Sequence, residues 1–324
     1  IAATRLFLLD LPLLRDIDDA GGRGSRLYYA MAGYGPVGWP GAALYRSTDG
    51  DAWNQVGAGL GEAAWGATVN ALGAPRSPFC TDDDNKLTVF MTVGGDNLES
   101  VTQEALVNGA NAALVLKANG EPEILQFRDV AFNPDGSYTL SGLLRGRRGT
   151  DVFVTGHAAG ELFLLLDPDD VEALTLDAGE IGVSRAWRAA GFGTLFEDAP
   201  TVTAIHTGRD LKPYAPWDVR AARVGSPPDI TLSWVRRTRL AGHLRDGAGE
   251  VPLGEASEAY EVDILTAPGG AVKRTLATST PSVTYLHADI ISDFTAVPAS
   301  LSVIVHQLGA FGRGFPRAVT LEIT

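Results

Sequence analysis

Five histidines, one cysteine and a large supply of carboxylates are the groups in this chain with acid–base, nucleophilic or metal-binding potential. His157, His206, His243, His287 and His306 are scattered, with no H-x-x-x-H or H-E-x-x-H spacing, so a zinc site has no local support. His157 and Glu161 form the most acid–base-like local pair, but such a pair becomes functional only in a perturbing cleft, and none is legible around it. There is no G-x-S-x-G nucleophile elbow and no lysine P-loop. Cys80 sits between Pro78-Phe79 and an acidic run, neighbours that keep a thiol protonated, the wrong direction for a nucleophile. Thr81-Asp-Asp-Asp-Asn85 offers oxygens to Ca²⁺ but lacks the alternate spacing and distal bidentate Glu of an EF-hand, and reads as a solvated turn. Gly33-Tyr-Gly-Pro-Val-Gly38 matches G-x-G-x-x-G by letter alone. A phosphate-cradling loop must open a helix, and Pro36, Pro40 and Gly41 forbid one. A glycosidase needs two carboxylates facing each other across the sugar, and nothing in the order of residues places such a pair. No catalytic, cofactor-binding or metal-ligating residue is assigned, and the expectation is that the chain is not an enzyme. Trp39, Trp53 and Trp65 are the candidate contacts for a sugar, against the alternative that they fill a core.

Composition narrows the field further. The 324 residues allow two or three domains. With 45% apolar and 20% charged residues there is enough material for a sizeable core. Gly (38) and Pro (18) are spread along the chain, as expected of many short strands joined by turns. Twenty-six basic against 39 acidic residues, a net charge of −13, argue against a duplex nucleic-acid groove or an anionic membrane surface as the main partner. A single cysteine rules out an internal disulfide framework and fits assembly in a reducing cytosol. No apolar run approaches the roughly 20 residues of a membrane span. The chain starts at Ile1 with no signal-peptide pattern and reads as a piece of something longer.

The elements that must position these groups are strands. Glu123 to Phe127 is an apolar run, Asn133-Pro-Asp-Gly136 is a turn, and Ser137 to Leu144 alternates, with Tyr138, Leu140 and Leu144 on one face. Arg145-Gly-Arg-Arg-Gly149 ends this hairpin and reads as a solvated turn whose arginines bond nearby carbonyls. Ser47-Thr-Asp-Gly-Asp-Ala-Trp53 comes close to the Asp-box hairpin of sialidase-like propellers but occurs once, and a propeller needs repetition. Ser100-Val-Thr-Gln103 is a capping-box signature for one short helix ended by Asn108-Gly109. Further strands are expected over 26–32, 42–46, 86–93, 112–117, 162–166, 180–189 and 201–206. Lys212 to Trp217, with Pro213 and Pro216, reads as a linker, and a lesser boundary falls near 75–80. Beyond it, seven short strands with Ile230, Leu232 and Trp234 facing inward on the second predict a small β-sandwich.

That last region resembles a fibronectin type III domain through Trp234, Tyr260 and the Gly312-Arg-Gly314 approach to the final strand. It departs at Leu301, where the tyrosine-corner residue usually stands. A second resemblance rests on three segments: Glu123 to Phe127 with Gly136 to Thr150; His157-Ala-Ala-Gly-Glu161 running into Phe163 to Asp167; and Trp234 to Arg239 with Pro252 to Glu255 and Glu258 to Val262. Together they resemble the C-terminal part of the large tail-tip (host specificity, or megatron) protein of gene transfer agents and related siphophages.

The resemblance implies a mainly β structural virion protein: β-rich tail-hub modules with one or two short helices over 1–211, then a fibronectin-like domain over 212–324. It also implies a place in the tail tip or baseplate, a homotrimer contacting hub and distal tail proteins, assembly in the host cytoplasm, and a part in host attachment and DNA delivery. Any hydrolase-like domain of the family lies upstream of the part matched. The competing expectation is a carbohydrate-binding module recognising host surface polysaccharide.

Overall fold

The computed structural model describes residues 3–34, 38–242 and 251–323; Gly35 to Val37, inside the G-x-G-x-x-G look-alike, and His243 lie outside the described residues. The protein is mainly β. It divides into two compact units, Ile1–Asp210 and Leu211–Thr324.

The first unit runs β1 (Ala3–Leu9), β2 (Ser25–Tyr34), β3 (Ala42–Ser47), β4 (Asn54–Gly59), β5 (Trp65–Thr68) and β6 (Leu87–Val93). After helix α1 (Gln103–Val107) come β7 (Ala112–Leu116), β8 (Pro122–Phe132), β9 (Tyr138–Leu144), β10 (Leu162–Leu165), β11 (Val171–Leu176), β12 (Ser184–Gly191) and β13 (Val202–Ile205). The strands form three layers: a closed barrel in the order β10-β5-β6-β9-β8-β7, a sheet β1-β2-β11, and a sheet β13-β12-β3-β4. β2 lies in the middle layer and is covered on both faces, which is why its sequence is almost continuously apolar. Tyr28, Ala30 and Ala32 meet Phe7, Trp65, Leu114 and Leu164 on the barrel side. Leu27, Tyr29 and Met31 meet Leu44, Trp187 and Ala189 on the other. A separate core fills the barrel, with Leu87, Val89, Val115, Leu125, Phe127, Leu140 and Phe163 fully buried.

The β8–β9 hairpin forms as its sequence predicts. Gly136 takes φ 86°, its N–H donates to the Asn133 carbonyl at 3.0 Å, and the Asp135 carboxylate accepts from Ser137 N–H at 3.0 Å. The alternation along β9 fails at Gly142. Its φ of 62° is left-handed and shifts the side-chain phase, so Leu143 rather than Leu144 joins Leu140 in the barrel core. The capping residue of α1 is Thr102, whose Oγ1 accepts from Ala105 N–H at 3.1 Å; Ser100 instead bonds Val130 across to β8. Residues 75–80 lie in the connection between β5 and β6, adjacent staves of one barrel, so no domain boundary falls there. Glu180 ends a 3-10 turn, and β12 starts only at Ser184.

The second unit contains β14 (Trp217–Val224), β15 (Asp229–Val235), β16 (Tyr260–Leu265), β17 (Val272–Thr278), β18 (Ser282–Tyr285), helix α2 (His287–Phe294), β19 (Ser300–Gly309), β20 (Gly312–Arg313) and β21 (Arg317–Glu322). One sheet is β14-β15-β18; in the other, β16 pairs with β17 and β19, and β19 with β21. Ile230, Leu232, Val262, Ile264, Val303 and Val305 are fully buried between them, and Trp234 meets Tyr260 edge-on at 5.1 Å. This is the sandwich the fibronectin resemblance implies. The proline-containing segment expected to be a linker is packed into this unit: Ala215 is fully buried and the Pro213 carbonyl accepts from Phe315 N–H at 2.9 Å.

β5 passes β6 so closely that a Cβ on Gly66 would lie 2.2 Å from the Phe90 carbonyl oxygen and 2.7 Å from Met91 Cα, both main-chain atoms. Gly66→Ala is therefore expected to cost about 1–3 kcal/mol of stability. Gly179→Ala, with open space around it, is expected to stay within about 0.5 kcal/mol of the parent. Urea midpoints compare the two.

Candidate functional site

Alternation along β8 puts Glu123 on the same face as Leu125 and Phe127, and Arg145 follows β9 one residue after Leu144. The two side chains meet with no exposed surface. Arg145 uses all five of its N–H donors. Nε and Nη2 donate to Glu123 at 2.6 and 2.8 Å, Nη1 to Asp82 at 3.1 Å and the Gly73 carbonyl at 2.9 Å, and Nη2 also to the Val154 carbonyl at 3.1 Å. Glu123 additionally accepts from Gly146 N–H at 3.0 Å, and His157 Nε2 stands 2.7 Å from its other oxygen. His157 Nδ1 lies 2.6 Å from Glu161, whose second oxygen accepts from Ala158 N–H at 2.9 Å.

The acid–base pair singled out from the sequence is thus one end of a buried network of two cations and three carboxylates. Burial alone would lower the His157 pKa, but its contacts with Glu123 and Glu161 outweigh that and raise it. Burial alone would raise the Glu123 pKa, and its bonds to His157 and Arg145 override it and lower it. Asp82 and Arg145 are core residues, which overturns the reading of both as parts of solvated turns: the chain walls them off from water, so each needs the other. Asp83 and Asp84, next to Asp82, stay exposed.

A second cluster joins residues that the sequence keeps far apart. Ser25 Oγ lies 2.6 Å from His206 Nε2, and His206 Nδ1 lies 3.0 Å from Asp10 Oδ1, the order of a Ser–His–Asp relay. The proton arrangement runs the other way. The Ser25 hydroxyl donates to Asp210 at 2.5 Å, so with Asp210 ionised His206 Nε2 is the donor to Ser25 and is not free to take its proton. Ser25 is fully buried, which leaves its oxygen no approach. Burial raises the Asp210 pKa, whereas at Asp10 the burial effect is outweighed by His206 and Thr207 and the pKa is lowered. Nothing in the sequence flags this cluster, because Ser25 and His206 are 181 residues apart.

The three tryptophans occupy three different places. Trp65 is 9% exposed, wedged against Phe7 at 5.4 Å and covered by the Arg5 guanidinium at 4.2 Å, so it has no face to offer a sugar. Trp39 is half-buried beside the second core layer, its N–H donating to Thr4 Oγ1 at 2.9 Å. Trp53 closes the Asp-box hairpin between β3 and β4. There Asp49 accepts from the N–H groups of Ala52 and Asp51, bonds that lower its pKa to about 2, Gly50 N–H donates to Ser47 Oγ at 2.8 Å, and Trp53 N–H donates to the Gly50 carbonyl at 3.2 Å. Among the described residues no group of three or more His, Cys, Asp or Glu side chains is placed to hold a metal ion, and no helix is long and apolar enough to cross a membrane.

Set beside known proteins, the chain matches one family model, described as "Rcc01698-like, C-terminal", over residues 63–164. Those bounds run from just before β5 to within one residue of the end of β10, so the matched part is the closed barrel together with its buried charge network. No curated protein matches the chain. Among solved structures, the crystal structure of chicken CNTN1 FN1-FN3 domains is 12% identical over 99% of this chain and 97% of that chain, with a TM-score of 0.24, a likeness too distant to carry weight.

Arg145→Ala leaves Asp82 buried without its cation and Glu123 with His157 alone to balance it, and is expected to destabilise the barrel by about 3–5 kcal/mol, read as a fall in the urea midpoint. The raised His157 pKa also has a signed consequence. Its contribution is complete below the ordinary histidine value of 6.5 and is lost as pH rises through the raised folded-state value; that of Glu123 is complete above 4.5 and is lost as pH falls through its lowered one. The stability gap between the parent and His157→Gln should therefore narrow steadily above pH 6.5. A gap independent of pH would mean that His157 is buried neutral.

Proposed function

We propose that this chain is a structural component of the tail tip or baseplate of a phage or gene transfer agent, acting as part of the central hub and contributing to host attachment and DNA delivery. The observation that carries the reading is the coincidence of three things on one stretch. Two of the three segments that resemble tail-tip proteins, the match to a family name associated with gene transfer agents, and the closed barrel overlap between residues 63 and 164, while the third segment, which begins at Trp234, belongs to the second unit. The residues with most chemistry in that stretch are internally paired and buried, which supports a scaffold role for the barrel over a reaction centre. On this reading the chain works as a homotrimer against hub and distal tail proteins, reaches the virion after assembly in the host cytoplasm, and presents its outward faces to neighbours and to the cell surface.

Deleting the segment 63–164 from the parent gene tests this. Particles should then lack a complete tail tip and lose adsorption at least tenfold, with an Arg145→Ala allele giving a milder form of the same defect. Complete tails that adsorb normally would sink the proposal.

A further inference from the structure

We infer that the outer face of the β13-β12-β3-β4 sheet carries a binding site for an acidic sugar, built around Arg188. Arg188 lies on β12 opposite Tyr45 of β3. Its guanidinium carbon stands 4.7 Å from the centre of the Trp53 ring and 5.0 Å from that of Phe196. Phe196 in turn meets Trp53 at 5.7 Å and Tyr45 at 5.0 Å, both edge-on, so the rings brace one another. Arg188 Nε donates to Thr201 Oγ1 at 2.8 Å, which fixes the plane of the head group. All four of these partners remain partly or fully exposed.

Its outer donors are open. Among the described residues its two terminal nitrogens have no hydrogen-bond or ion-pair partner, and neither Glu197 nor Asp198, which follow Phe196, pairs with it. This occurs in a chain with 39 acidic and 26 basic residues. Arg185, three residues earlier on the same strand, is closed on Glu180 by bonds of 2.8 and 2.9 Å. A guanidinium held against aromatic rings, with its terminal N–H groups unpaired, matches the paired oxygens of a carboxylate or phosphate, and part of its ordering entropy is already spent. Tyr45 and Phe196, both partly exposed beside it, offer apolar surface to the C–H faces of a pyranose ring. Trp53 is the pedestal here, one face covered by the cation, so the charged fork and not a stacking platform supplies the recognition. The ligand chemistry is an oxyanion carried on a saccharide.

The inference deepens the attachment role proposed above but concerns the isolated chain, so its failure leaves the tail-tip reading standing, and the reverse also holds. The full chain is titrated with tri-galacturonate, with mannose 6-phosphate and with neutral galactotriose, following tryptophan fluorescence and the arginine side-chain NMR signals. Saturable binding of an acidic sugar is expected, weakening as salt is raised, with no response to galactotriose; the first two ligands tell carboxylate from phosphate. Arg188→Lys, which keeps the charge and loses the fork, should weaken binding about tenfold or more, and Arg188→Gln should abolish it, both with unchanged urea midpoints. Absence of saturable binding by either acidic sugar overturns the inference. So does full binding in Arg188→Lys or Arg188→Gln, or concentration-dependent self-association lost in Arg188→Gln, which would mean that a carboxylate of a second copy fills the fork.

Discussion

A guanidinium with no exposed surface is tolerable only when each of its donors is bonded and its charge is balanced, and Arg145 meets both conditions by drawing in three separate stretches of chain. Glu123 comes from β8, Gly73 and Asp82 from the long β5–β6 connection, and Val154 with the linked His157 from the segment before β10. The connection is held from both ends, since Asp82 also exchanges main-chain bonds with Leu143. Replacing such a network by apolar side chains of the same volume need not weaken a protein, whereas removing one member leaves the rest exposed to the low dielectric. What the network supplies is therefore position: it fixes which loop lies across the barrel end, and at what register.

The remaining architecture follows from layering. β2 serves two cores at once, one against the barrel wall and one against the second sheet, so a change of side-chain size on that strand is felt on both sides. The buried polar clusters sit within or beside these cores and are closed on themselves.

Much of this was readable from residue order, and the parts that were not share a cause. The β8–β9 hairpin was legible because Pro134, Asp135 and Gly136 specify their turn locally. The strands of the sandwich were legible because Ile230, Leu232 and Trp234 alternate cleanly. Arg145 and Asp82 were misjudged because burial is decided by partners 22 and 63 residues away, and a charged residue after a strand otherwise looks like a loop. The Ser25–His206 contact has no local signature either. Gly142 misled the phase of β9 because a left-handed glycine and an extended one are the same letter. The capping-box spacing put the cap of α1 at Ser100, whereas the bond from Ala105 N–H places it at Thr102. α2 went unforeseen: it is eight residues long and has no side-chain cap.

The closure of the barrel through β10 has a bearing on how such a protein can change. A wall whose last strand bonds its first exposes no row of unsatisfied amides, so whatever docks there must recognise protruding groups, and those can drift without disturbing the wall behind them. The two open sheets of the first unit differ, because β1 and β11 bound one and β4 and β13 the other. Each of those border strands keeps one row of its backbone groups outside the ladder, so there a proline or a bulge breaks no sheet bond, whereas in the barrel it would break one on either side.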